Sequence, residues 1–280
     1  MATKLQNTRA RITGGFRYLF ILLMVVITVF PIWWIFSTSL ESLKTAFRFP
    51  AGLVPHGVWS NYAIAWGLAP WLHFFGNSLL ISFSTVGLAV FTSLLAAFAF
   101  AFLKWRGRGW VFAAVLGTMM VPFEAILVPD YLIIRDFNWL NSYTAQIIPF
   151  AASGFAIFFL RQFMLSLPTE LRDAATIDGA SDWAYLWLVV VPNIKAALAT
   201  ISIYLFLLSW NAFLWPLVVT TSPVHQPIQI GLSSFVQTAN GTDWTVVAAA
   251  AGFVTLPVLI LYFIAQRQIT EAISRTGLKG

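Results

Sequence analysis

The chain has 280 residues, of which 59% are hydrophobic and 9% charged, with 26 Phe and 13 Trp, a balance far from that of a soluble domain. It contains no cysteine, which excludes disulfides, thiol catalysis, zinc thiolate sites and iron–sulfur clusters. The net charge of +6 follows from where the cations sit around apolar segments and carries no nucleic-acid inference.

Stretches of about 20 apolar residues cross a hydrocarbon core as helices. Six are predicted, in chain order Tyr18–Leu40, Phe74–Leu103, Trp110–Val128, Thr144–Phe163, Ala196–Leu217 and Val246–Ala265. The first reads as a retained anchor, because its apolar stretch is long and no small-x-small cleavage site follows Leu40. The second exceeds what a bilayer needs, which implies tilt or projection. In the third, Pro122 and Pro129 flank Glu124 and predict a bend that frees backbone carbonyls, tolerable where a helix lines a cavity.

Lys and Arg near segment ends stay on the cytoplasmic side. With both termini inside, only Lys44, Arg48 and Arg135 of the 16 cations fall in outer loops. The organisation is then a cytoplasmic tail (1–17), a first helix with its outer loop (18–72), a core of five helices (73–266) and a second cytoplasmic tail (267–280). No internal repeat is apparent. His56, His73 and His225 fall in outer loops or at a membrane boundary, so haem ligation between helices has no obvious ligands.

The polar interruption at 167–192 holds four of the ten acidic residues, Glu170, Asp173, Asp178 and Asp182, and lies on the cytoplasmic side. Pro168 suits a helix start, and Glu170 and Asp173 favour its positive pole. The helix is expected to run to about Ile177. Asp178-Gly179 reads as its stop, because glycine accepts positive φ. Ser181 caps a second helix that passes Trp183, Leu186 and Trp187 and ends at Pro192. Two short helices bent at Gly179 form a rigid knob, with Ala174 and Ala175 as a small packing surface. That is a docking surface for a soluble partner.

These residues resemble the cytoplasmic signature of inner-membrane permease subunits of binding-protein-dependent ABC importers: EAA, three residues, Gly, nine residues, I-x-L-P. Here it reads Asp173-Ala174-Ala175, Gly179, then Val189, Val191 and Pro192 at the same spacing, with Asp for Glu, Val for Ile and Val for Leu. The likeness extends over nearly the whole chain. It is most similar to the carbohydrate-uptake subgroup that includes permeases for maltose and glycerol 3-phosphate, through Asn77-Ser78, Leu160-Arg161-Gln162-Phe163, Ile177-Asp178-Gly179-Ala180, the run 210–216 (WNAFLWP) and the tail Gly277-Leu278-Lys279-Gly280.

The resemblance implies an all-α membrane protein with the type I importer permease fold, six transmembrane helices, both termini cytoplasmic and a cytoplasmic coupling helix. It implies a bacterial or archaeal cytoplasmic membrane. The implied partners are a homologous second permease, two ATPase subunits and an extracytoplasmic solute-binding protein, with no nucleic acid. Glu170, Asp173, Ala174, Ala175, Asp178, Gly179, Ala180, Ser181 and Pro192 are the implied ATPase-coupling residues. This chain itself has no GxxxxGK[ST] phosphate loop. It is therefore expected to be a non-catalytic subunit that binds no cofactor, with ATP and Mg on the partner ATPase.

Asn77, Ser78, Glu124, Trp210 and Asn211 are candidates for the translocation path, since sugars are held by amide hydrogen bonds and aromatic stacking. The alternative for Glu124 is a hydrogen bond to a neighbouring helix or a place partly in water at the outer rim, and for the others interhelical packing. In the loop 220–243, Gln237, Asn240, Gly241 and Thr242 are candidate binding-protein contacts by the resemblance, although Asn-Gly is also an ordinary turn. Three other readings are an importer of glycerol 3-phosphate or a related polyol phosphate, a membrane anchor of a redox or intramembrane enzyme complex, and an ion-driven secondary transporter. The enzyme reading asks for paired acids at membrane depth, where Glu124 is the one candidate noted.

Overall fold

A computed structural model describes the backbone of residues 2–48, 54–237 and 242–277, and the side chains of 17–48, 54–236 and 242–263. Among the described residues every regular element is helical. Three helices are long and apolar enough to span a membrane: Arg17–Ser39, Trp71–Phe102 and Trp244–Phe263. Three further pairs are each broken by a bend. Arg108–Thr118 meets Phe123–Asp136 at 99°, Tyr143–Phe150 meets Gly154–Leu165 at 41°, and Asp182–Asn193 meets Lys195–Trp210 at 79°. If each pair is one span the total is six.

The expected segments need correction at these breaks. Trp110–Val128 is not one helix, because Pro122 takes an extended backbone (φ −66°, ψ 142°) and starts a new helix that runs to Asp136. Pro129 sits inside that helix. Ala196–Leu217 divides at Asn211, where the first helix ends, and a separate helix forms over Leu214–Val219. Pro192 does not end its helix: Val191–Asn193 is helical, preceded by a π-helical turn over Tyr185–Val190. There the Val191 N–H reaches back to the Leu186 carbonyl, and the Asn193 side-chain amide donates to Val189 O at 2.7 Å. Such a turn is how a helix accommodates a proline that lacks an N–H.

The chain divides into two units, Met1–Pro70 with Leu232–Leu256, and Trp71–Gly231 with Pro257–Gly280. In the first, Tyr62 links two elements: its hydroxyl lies 2.8 Å from Ser39 Oγ and its ring meets Phe253 edge-on at 5.8 Å. The buried Asn61 amide donates to the carbonyls of Ser39 and Glu41. Glu41, 6% exposed, lies 2.6 Å from His56 Nδ1. Burial pushes the Glu41 carboxyl up, but contacts with Thr45 and His56 outweigh it and hold the group below its ordinary value. A lowered carboxyl contributes stability that is complete above its unfolded-state pKa and is lost as pH falls through the folded one. The hydrogen-exchange protection factors of residues 41–48 and 54–62 are therefore expected to fall on acidification through that window, and less so in His56→Ala.

In the second unit the Trp71–Phe102 helix is the centrepiece. It has neither proline nor charge after His73, so nothing interrupts it. Its buried Ala89 and Ala97 share an apolar cluster with Ala156 and Leu160 of Gly154–Leu165 and Ala197 and Ile201 of Lys195–Trp210, and the buried Ser93 donates to Ser153 O at 3.4 Å. In a bilayer, where lipid is as apolar as leucine, small residues of this kind allow backbones to approach and gain dispersion contacts. Thr92 Oγ1 adds a hydrogen bond to Ala151 O at 2.6 Å, at the kink between Phe150 and Gly154. A second cluster forms around Trp215, whose ring meets Phe123 and Phe150 edge-on and whose Nε1 donates to Ala145 O at 2.9 Å.

Candidate functional site: a helical lever and a polar cavity

The lever starts at Thr169, with Pro168 as the residue before the first helical turn, and runs to Ile177. Its end is a Schellman motif: Ala180 N–H bonds Ala175 O at 2.9 Å and Gly179 N–H bonds Thr176 O at 3.1 Å, with Gly179 at φ +70°. Ser181 then caps the next helix, its Oγ accepting from Ala184 N–H at 3.1 Å. One face of the lever is fixed. Ala175 is buried and belongs to the same apolar cluster as Ala97, Leu160 and Tyr185. The other side is open, with Glu170, Asp173, Ala174, Asp178, Gly179, Ala180 and Ser181 all exposed, as is Pro192 further on, and Ile177 at the tip is 86% exposed.

Arg172, which the sequence motif did not single out, joins the two arms. Its guanidinium pairs with Asp182 and lies 4.5 Å from the centroid of the buried Tyr185 ring. The ion pair is partly exposed and contributes roughly 0–1 kcal/mol, and the ring contact about 0.5–1 kcal/mol. Arg172→Ala is expected to raise hydrogen exchange over 169–182 several-fold with little change in global melting. Exchanging the charges, Arg172→Asp with Asp182→Arg, restores the pair but not the ring contact, so protection should return in part.

A cavity of about 580 Å³ lies within the second unit. It brings together Ser78, Glu124 and Asn211 of the path candidates, with Ser82, Thr85, Gln146, Phe213 and Trp215 beside them. Glu124 is exposed, in the first turn of Phe123–Asp136, where a carboxylate suits the helix dipole. Asn77 and Trp210 are not on the wall. The Asn77 amide donates to the carbonyls of Val224 and Gln226, both at 2.9 Å, and its Oδ1 accepts from the Tyr143 hydroxyl at 2.7 Å. Trp210, 1% exposed, stacks on Phe206 at 5.7 Å and offers no free face. Both side chains are engaged in contacts within this unit. Gln146 was missed by sequence reasoning, since a lone Gln in an apolar segment carries no spacing signal.

Of the loop candidates, Thr242 Oγ1 donates to Val236 O at 2.8 Å, and Asp243 Oδ1 accepts from the N–H groups of Thr245 and Val246 as the cap of the last helix. Asn240 and Gly241 lie outside the described residues, as does the side chain of Gln237.

An all-helical fold with up to six apolar spans of this kind is that of a transport-system permease. The chain belongs to the family described as binding-protein-dependent transport system inner membrane component, whose model matches residues 10–275. It is 32% identical to the arabinooligosaccharides transport system permease of Bacillus subtilis (strain 168), over 94% of each chain. It is 31% identical to the lactose transport system permease of Rhizobium radiobacter, over 94% of this chain and 96% of the relative. It is 28% identical to the sn-glycerol-3-phosphate transport system permease of Shigella flexneri, over 92% and 95%. A solved structure of a bacterial ABC transporter involved in import of the acidic polysaccharide alginate has a chain that superposes with a TM-score of 0.82 at 25% identity, covering 92% of this chain and 96% of that one. The fold is thus that of an ABC importer permease, and the protein is a multi-pass component of the inner membrane.

Proposed function

We propose that this chain is the permease subunit of an ATP-driven importer for a sugar or sugar derivative, forming the path with a second, homologous permease. In this reading it spans the membrane six times with both termini in the cytoplasm, as the cation distribution favours. The lever 169–181 docks on an ATPase subunit that holds ATP and Mg, and an extracytoplasmic binding protein delivers the solute, with the 237–242 loop facing it. Closure of the ATPase dimer then moves the helices as rigid bodies. The observation that carries the proposal is the lever itself: a helix anchored by the buried Ala175, closed by Gly179 and presenting acidic and small residues outward. Sugar as cargo is supported by the arabinooligosaccharide and lactose relatives. The glycerol-3-phosphate relative favours a polyol phosphate as the second reading.

Because the chain lacks cysteine, Ile177→Cys gives a unique crosslinking handle at the lever tip. A crosslink to the ATPase that changes with ATP is expected in the assembled complex. ATP-driven uptake that survives deletion of 169–181 would overturn the proposal.

A further inference from the structure

The cavity wall shows which class of cargo suits this subunit. Ser82, Thr85 and Gln146 line it, are 1%, 6% and 3% exposed, and each carries a polar atom without a hydrogen-bond partner: Ser82 Oγ, Thr85 Oγ1 and Gln146 Oε1. Leaving such groups unpaired in a low-dielectric interior costs about 1–3 kcal/mol each, a cost that a hydroxylated ligand relieves. The amides are oriented. Gln146 Nε2 donates to His225 O at 2.9 Å and to Ser142 O at 3.4 Å, which leaves the Gln146 oxygen to the cavity, and Asn211 Nδ2 donates to Leu207 O at 2.8 Å, which leaves Asn211 its oxygen and one N–H. The Ser82 and Thr85 hydroxyls can donate or accept. Among the described residues the lining includes no Lys, Arg or His, and its one ionisable side chain is Glu124.

We propose that this half of the path is a subsite for uncharged, polyhydroxylated glycans, in which Glu124 repels anionic sugars. A neutral sugar brings hydroxyl donors to the left-over oxygens of Gln146, Asn211 and Glu124. A phosphate or uronate brings a negative charge beside Glu124, with no cation on the wall to offset it. Like charges about 4 Å apart repel by about 1 kcal/mol in water and by about 4 kcal/mol near a protein surface, enough to disfavour an anion beside the exposed Glu124. The inference rests on the cavity belonging to the translocation path, and it selects the neutral cargo over the polyol phosphate.

The test is saturation-transfer NMR on the full-length chain in nanodiscs, with arabinotriose and lactose as neutral probes and glycerol 3-phosphate and glucuronate as anionic ones. Transfer to the neutral probes alone is expected, weakened in Thr85→Val. Glu124→Gln is expected to raise anion binding relative to neutral binding about tenfold or more. Glu124→Lys should favour the anions outright. Transfer to the anions as strong as to the neutral sugars, no transfer to any probe, or a selectivity indifferent to both Glu124 exchanges overturns the proposal. ATP-driven uptake is scored separately. Its absence beside neutral-selective binding counts against the transport reading alone, and intact uptake beside anion-selective binding counts against the subsite alone.

Discussion

Gly179→Val is expected to reduce ATP-driven uptake by at least about tenfold while leaving the chain inserted and folded. The argument is conformational. Gly179 has φ +70°, and a Cβ built there meets nothing within 4 Å, so no packing is disturbed by a side chain as such. The whole penalty is that of placing an L residue in the left-handed region, roughly 1–2 kcal/mol and more for a β-branched one. Relaxing it requires breaking the two bonds from Gly179 and Ala180 back to Thr176 and Ala175, which set the direction in which the chain leaves the lever. Once they are lost, Ser181 no longer starts the next helix in register and Arg172 is carried away from Asp182. The helix itself, held through Ala175, survives. A lever whose geometry is wrong in most molecules transmits little, since each 1.4 kcal/mol shifts the balance about tenfold.

The series distinguishes this account from simple crowding at a docking surface. Asn accepts left-handed φ and ends helices in the same motif, so Gly179→Asn should keep uptake within about threefold of the parent although it is larger than Ala. Gly179→Ala should fall between Asn and Val. If uptake instead declines in order of side-chain volume, with Asn worse than Ala, the contact surface and not the turn is what Gly179 serves.

Local chemistry made the lever legible from its residues. Pro168, the Asp178-Gly179 stop and the Ser181 cap are each set by one or two residues, and all three stand where the sequence placed them, within a residue. The long uninterrupted Trp71–Phe102 helix was equally plain, because nothing in it competes with a helix. The bent segments were not. Hydropathy reports that 108–136 belongs in an apolar setting, but the 99° turn at Met119–Pro122 preserves that hydropathy while redirecting the backbone. The π turn before Pro192 is invisible for the same reason, since it shifts hydrogen bonds without changing composition. The cavity required contacts distant in sequence: Gln146 reaches His225 and Asn141 Oδ1 accepts from Thr221 and Ser222 N–H. Asn141 itself has φ +57°, a left-handed position that Asn tolerates but that its sequence neighbours do not announce.

Asn77→Asp is expected to destabilise the chain more than Asn77→Ala, although Asp is the closer match in shape. Asn77 is 3% exposed and works as a clamp: two N–H groups on two carbonyls, one oxygen under the Tyr143 hydroxyl. Alanine removes these bonds, leaving Gln226 O and the Tyr143 hydroxyl unpaired, while Val224 O keeps His73 Nε2 at 2.7 Å. At about 1–3 kcal/mol for each orphaned group when fully buried, the loss is at most roughly 2–6 kcal/mol, since both groups are half-buried. Aspartate keeps an acceptor under the Tyr143 hydroxyl but replaces the NH₂ by an oxygen facing two carbonyl oxygens, adding repulsion and a buried charge to the loss at Gln226 O. The effect extends to the cavity wall, because the segment held by Asn77 carries the His225 carbonyl that orients Gln146 and the Ile228 N–H bonded to Ser78 Oγ at 2.8 Å. Thermal unfolding of the purified variants therefore ranks parent above Ala above Asp, with uptake falling in step with the folded fraction. An Asn77→Asp protein that melts with the parent yet transports differently would place the amide in the path of the solute and take it out of the scaffold.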